Sequence, residues 1–203
     1  MNPHVLLGAV LFACAAIAGL AAAAAICARV QRYEDGPPQG TPPVVALVAG
    51  AALIGGIAGA HAEPGRLGLV AIVTGAFVAA WYCDVVRGVI PDVFSLGPLA
   101  VMAILAFTWH DPRMIVSGLI VVIPFALAAY LSRGRGMGWG DVKLAAVAGA
   151  LLGASNALLA LALAAFAAFV SAKFRREAPA VQPLAFAPYL IGATALFTAF
   201  TAL

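Results

Sequence analysis

Residues 67–92 read LGLVAIVTGAFVAAWYC followed directly by DVVRGVIPD. No charge interrupts the run from Leu67 to Cys83, and a carboxylate, Asp84, comes immediately after it. A spanning helix needs roughly 20 apolar residues, with about 17 as a lower limit. The run is therefore long enough to cross a bilayer, and it ends on an ionisable group at the membrane edge. Acidic residues in such places are costly and mark function by default.

The same texture continues in both directions. Of 203 residues, 65% are hydrophobic and only 9% charged, whereas a soluble domain carries about 25% charged residues. There is too little polar surface to cover the apolar bulk, which excludes a water-soluble fold. Pro, charged and Gly-rich stretches divide the chain into apolar segments at about 5–28, 43–60, 67–83, 93–109, 114–131, 142–154, 156–173 and 184–203. Only Gly153-Ala154-Ser155-Asn156 separates the sixth from the seventh, and one long helix there is the competing reading. The fold class expected is an all-α integral membrane protein with about eight transmembrane helices. It forms one polytopic domain over 1–203, with a Pro-rich connection at 31–43 too short to fold by itself. Abundant Ala and Gly suit close helix packing in lipid.

Charge distribution orients the bundle. Alternate connections hold Arg29 and Arg32; Arg87; Arg133, Arg135 and Lys143; and Lys173, Arg175 and Arg176, whereas the opposite set holds only Arg66 and Arg113. Lys and Arg accumulate on the cytoplasmic side, so both termini are expected outside. Merging the sixth and seventh segments would move the last cluster to the wrong side, which favours the split. Met1-Asn2-Pro3-His4 lacks the positive leader of a signal peptide, so the first segment reads as a retained helix.

Several function classes drop out. A net charge of +3 is too small to suggest nucleic acid. Cys14, Cys27 and Cys83 have no CxxC spacing and read as small apolar packing residues rather than a zinc or redox motif. His4, His61 and His110 fall in different loops without ligand spacing, so no metal is expected.

Of the eight acidic residues, six read as loop residues or helix caps; Asp84 and Asp141 do not. The topology places both at cytoplasmic helix ends, at similar depth. Two carboxylates sharing a site hold one proton between them, so that one can activate water while the other protonates a leaving amine. Gly136, Gly138 and Gly140, ahead of Asp141, leave a backbone strip that a peptide could approach closely. The start of the following helix offers free N–H groups to Asp141.

Three elements carry a resemblance. Gly136-Met137-Gly138-Trp139-Gly140-Asp141-Val142-Lys143-Leu144 is similar to the GxGDxKL element of the type IV prepilin peptidases. Asp84-x-x-Arg87-x-x-Ile90-Pro91 is similar to that family's first aspartate element, and Phe186-Ala187-Pro188-Tyr189-Leu190 to its Pro-Phe-Gly-Pro-Tyr-Leu signature. Asp92 stands where the family usually has Asn; an N-cap role fits either. Ala185 and Ala187 replace the family's Pro and Gly. The resemblance covers about 67–203 and implies an aspartyl endopeptidase of the inner membrane. It would cut the leader from type IV or Flp prepilins and pseudopilins at the cytoplasmic face. Asp84 and Asp141 would be the catalytic pair, with Arg87, Gly138, Gly140 and Lys143 supporting or contacting substrate. The connection 31–43 lacks cysteine, unlike the Cys-rich segment of the long enzymes. The chain is therefore similar to the short form of Flp or Tad pilus systems, with no cofactor and no methyl transfer expected. Two alternatives are a GxGD intramembrane protease with other substrates and a small transporter or scaffold with aspartates along an ion path.

Overall fold

A computed structural model describes residues 3–29, 43–61, 63–131, 138–174 and 186–201. Most of the connection 31–43, the arginines at 133, 135, 175 and 176, and Gly136 lie outside these. Among the described residues the chain forms eight α-helices and no strand: α1 Pro3–Cys27, α2 Val44–Gly59, α3 Pro64–Arg87, α4 Val93–Thr108, α5 Arg113–Leu131, α6 Trp139–Leu152, α7 Ala154–Phe174 and α8 Ala187–Phe200. Four of them, α1, α3, α5 and α7, are long and apolar enough to cross a membrane.

The protein is apolar outside as well as inside, as a membrane protein must be. Phe107, Phe166, Phe169 and Phe174 are all exposed, and so are Leu53, Ile104 and Ile123. Exposed side chains of that size find their solvent in lipid, because water would meet an apolar patch far larger than monomeric soluble proteins carry.

Small residues set how closely the helices approach. α1 packs along α2 and α3. A Cβ on Gly8 would run into the backbone of Gly55, and one on Gly19 into the backbone of Gly75. Backbone meets backbone here, which suits association in lipid, where dispersion contacts and not water drive packing. The α5–α6 contact follows the same rule, since a Cβ on Gly149 would stand 2.8 Å from the Cβ of Val121. α3 is the most enclosed of the four long helices. α4 and α8 each pack on both α3 and α6. α8 satisfies its buried hydroxyls internally: Thr194 Oγ1 donates to the Leu190 carbonyl and Thr198 Oγ1 to that of Thr194, both at 2.8 Å.

The helix boundaries depart from the apolar segments in informative ways. α3 continues through Asp84 to Arg87 and stops at Gly88, whose φ of 70° closes the helix with its N–H on the Asp84 carbonyl. Only glycine adopts that left-handed conformation freely. α6 starts at Trp139, so the tryptophan and Gly140 are helical and not part of a loop. The sixth and seventh segments are two helices, parted at Gly153, with φ 78° and ψ 160°. The cysteines depart further. Cys27 and Cys83, read as separate packing residues, form a disulfide with a Cα–Cα distance of 5.9 Å, because the end of α1 lies against the last turns of α3. Cys14 is free and exposed.

Candidate active site

Asp84 belongs to the last turn of α3 and is 9% exposed. Its Oδ2 is buried without a hydrogen-bond partner, and so is Nε of Arg87, one turn further along the same helix. These are the two such atoms among the described residues. Buried polar groups are otherwise almost always satisfied, so this end of α3 holds hydrogen-bonding capacity in reserve. Arg87 also places a cation at the negative end of the α3 dipole.

Asp141 sits in the first turn of α6, just ahead of the apolar stretch 142–154. The N-cap is Gly138, in extended conformation, with its carbonyl accepting from the N–H groups of Asp141 at 3.1 Å and Val142 at 3.3 Å. Burial pushes the Asp141 carboxyl up to about 6, although a hydrogen bond from the Gly138 backbone pulls the other way. The helix start alone would favour the ionised form; enclosure outweighs it.

Asp84 and Asp141 are fifty-seven positions apart in sequence, yet the charge of Asp141 reaches Asp84. Two links hold the elements that carry them. A Cβ on Gly140 would stand 3.1 Å from Ile90, so α6 meets the loop after α3 closely enough that an added side chain would have to displace Ile90. Lys143 Nζ pairs with Asp92 Oδ1 and joins the second aspartate element to the first. Asp92 stands at the N-cap position of α4 but makes no side-chain cap hydrogen bond. Its carboxylate is engaged across the site instead. Asp92 and Ile90 were not singled out for the site from sequence; the signal available was one acid and one base, each next to a different aspartate motif.

The remaining candidates fall as follows. Gly138 supplies the cap and Gly140 the close contact with Ile90, so Gly140 presents no open backbone on that face. Lys143 reaches Asp92. In the third element Phe186 is the N-cap of α8, and Ala187 and Leu190 are fully buried in the cluster that also holds Cys83 and Leu144. Tyr189 packs on that cluster from its edge. Among the described residues, no three His, Cys, Asp or Glu gather as metal ligands do.

A lipid-facing helical bundle that presents two carboxyl groups at the ends of separate helices is a membrane protein with the makings of an acid–base site. The model of the type IV leader peptidase family matches residues 71–172, just over half of the chain, and the chain belongs to that family. Asp84 and Asp141 both fall within the match, while the element at Phe186–Leu190 lies beyond it. Neither a curated protein nor a solved structure matches the chain.

Proposed function

We propose that the chain is a membrane aspartyl endopeptidase that removes the leader peptide from prepilins or pseudopilins, with Asp84 and Asp141 as its catalytic pair. The observation that carries this reading is the pairing itself. Asp84 is enclosed, with Oδ2 unpartnered, and the charge of Asp141 bears on it. The pair works with one proton. The ionised carboxylate takes a proton from water as its oxygen attacks the scissile carbonyl carbon, and the protonated partner gives its proton to the amide nitrogen as the C–N bond breaks. Arg87, with its unpartnered Nε, would meet the substrate or the developing negative charge. Gly138, Gly140 and Lys143 hold the second aspartate in place through the cap, the Ile90 contact and the Asp92 pair.

The proposed topology has eight spans and both termini outside, with this site at the cytoplasmic face of a bacterial inner membrane, and the nine-to-two division of Lys and Arg supports it. The connection 31–43 supports the short form serving Flp-type pilins, without a methyl-donor pocket. The test is incubation of the purified protein with a prepilin bearing a basic leader. Release of the leader supports the reading. An intact prepilin, with the protein shown to be folded, contradicts it.

A further inference from the structure

The two cations that break the charge asymmetry of the chain are not scattered. Arg66 and Arg113 line one cavity of about 200 Å³, together with Trp109, Asp111, Met114 and Ser117. Arg66 is in the first turn of α3 and Arg113 is the first residue of α5, and the cavity reaches Gly153, just before α7 begins. Cations in these places are opposed by the positive ends of the helix dipoles, where an anion is favoured. Asp111 offsets at most one of the two cationic charges, and its Oδ1 also accepts from the Arg113 backbone N–H at 3.1 Å. Two guanidinium groups and converging helix starts thus share a cavity with one carboxylate. Along α3, Arg66 lies about 27 Å from Asp84 at 1.5 Å per residue, close to the roughly 30 Å hydrocarbon thickness of a bilayer. The cavity is therefore at the other membrane surface from the aspartates. Trp109 is the kind of side chain found at such an interface, and buried Leu69 and Val70 form the apolar side of the cavity.

We infer that this cavity binds the phosphodiester headgroup of an anionic phospholipid in the leaflet opposite the aspartate site, held by Arg66 and Arg113. The guanidinium fork matches two phosphate oxygens. A membrane lipid, rather than a free phosphate, is the occupant because the cavity opens at the depth of Trp109 with apolar side chains beside it, where acyl chains continue. The assignment does not depend on peptidase activity.

Thermal unfolding of the purified protein in mixed micelles tests it, with phosphatidylglycerol compared with phosphatidylcholine of identical chains. Phosphatidylglycerol should raise the midpoint above phosphatidylcholine, and R66Q/R113Q should remove the difference. Asp111→Asn keeps an oxygen for the Arg113 N–H but deletes the competing negative charge. It should tighten phosphatidylglycerol binding about 3-fold, the scale of one exposed charge pair, and it keeps the test open if the double variant fails to fold. Soluble glycerol phosphate should give no shift. The inference is overturned by equal midpoints in the two lipids, by a phosphatidylglycerol effect that survives R66Q/R113Q, by unchanged or weakened binding in D111N, or by a glycerol phosphate shift as large as that of the lipid.

Discussion

Replacing Asp92 by Lys would set two ammonium groups against each other where Lys143 Nζ now meets Asp92 Oδ1. The side chains of Lys143 and Asp92 are 32% and 63% exposed, so water screens the pair and its worth is that of a surface ion pair. For Asp92→Asn, which removes the charge and keeps the shape, that is about 0.2–1 kcal/mol, or roughly a 1.5- to 5-fold fall in kcat/KM. For Asp92→Lys the attraction becomes repulsion. At about 4 Å in water each sign is worth about 1 kcal/mol, so the reversal reaches about 2 kcal/mol, or roughly 30-fold, before the flexible chains swing apart. The double variant D92K/K143D restores the pair with its ends exchanged. It leaves Asp141 alone, because positions two apart on a helix do not face each other. We expect leader cleavage to fall roughly 5- to 30-fold in D92K and to return to within about 3-fold of the parent in the double variant. Thermal midpoints should move little in all three, because an exposed pair contributes little to global stability. The reasoning is refuted if D92K cleaves like the parent, or if the exchanged pair is no better than D92K. A matching collapse of the midpoint in D92K would reduce the pair to a structural prop.

Two further outcomes follow from the same geometry. Gly140→Val should lower cleavage by at least about 10-fold with normal membrane insertion, since even a Cβ would stand 3.1 Å from Ile90 and a displacement of about 1 Å at a catalytic group costs on that scale or more; cleavage equal to the parent would remove Ile90 from the account. Burial raises the Asp141 carboxyl to about 6 from its ordinary 3.8, so the folded state holds its proton where the unfolded chain has lost it. Its contribution to stability is full below pH 3.8 and gone above about 6. The midpoint attributable to this group should therefore fall between those values, and Asp141→Asn should flatten that part of the profile.

The eight helices were legible because apolar runs mark them, although four of the eight are long and apolar enough to cross a membrane. Six of the seven connections announce themselves by Pro, Gly or charge, and Gly153 parts α6 from α7 where the run of apolar residues is barely broken. What hydropathy misplaces are the ends. A helix does not stop at its first charge: Asp84 keeps its backbone bonds inside α3, and the stop comes at Gly88, where φ turns positive. Trp139 and Gly140 likewise belong to α6, because Gly138 takes the N-cap position. Asp84 and Asp141 stood out as candidates because carboxylates at apolar helix ends are expensive and few. The contacts that arrange it were not. Asp92 looked like a cap because it precedes a helix, and only the packed structure shows its carboxylate turned to Lys143. The Cys27–Cys83 pair, separated by 56 positions, left no local spacing to read.

Asp84 and Asp141 are proposed to share the work of one acid and one base. The most direct measurement is leader cleavage by Asp84→Asn and Asp141→Asn, each purified from membranes and matched to the parent in insertion and folding. Neither asparagine can give or take the proton, and one remaining carboxyl cannot act as base and acid in the same step. Both variants should bind the prepilin and leave its leader attached. Full cleavage by either one would contradict it.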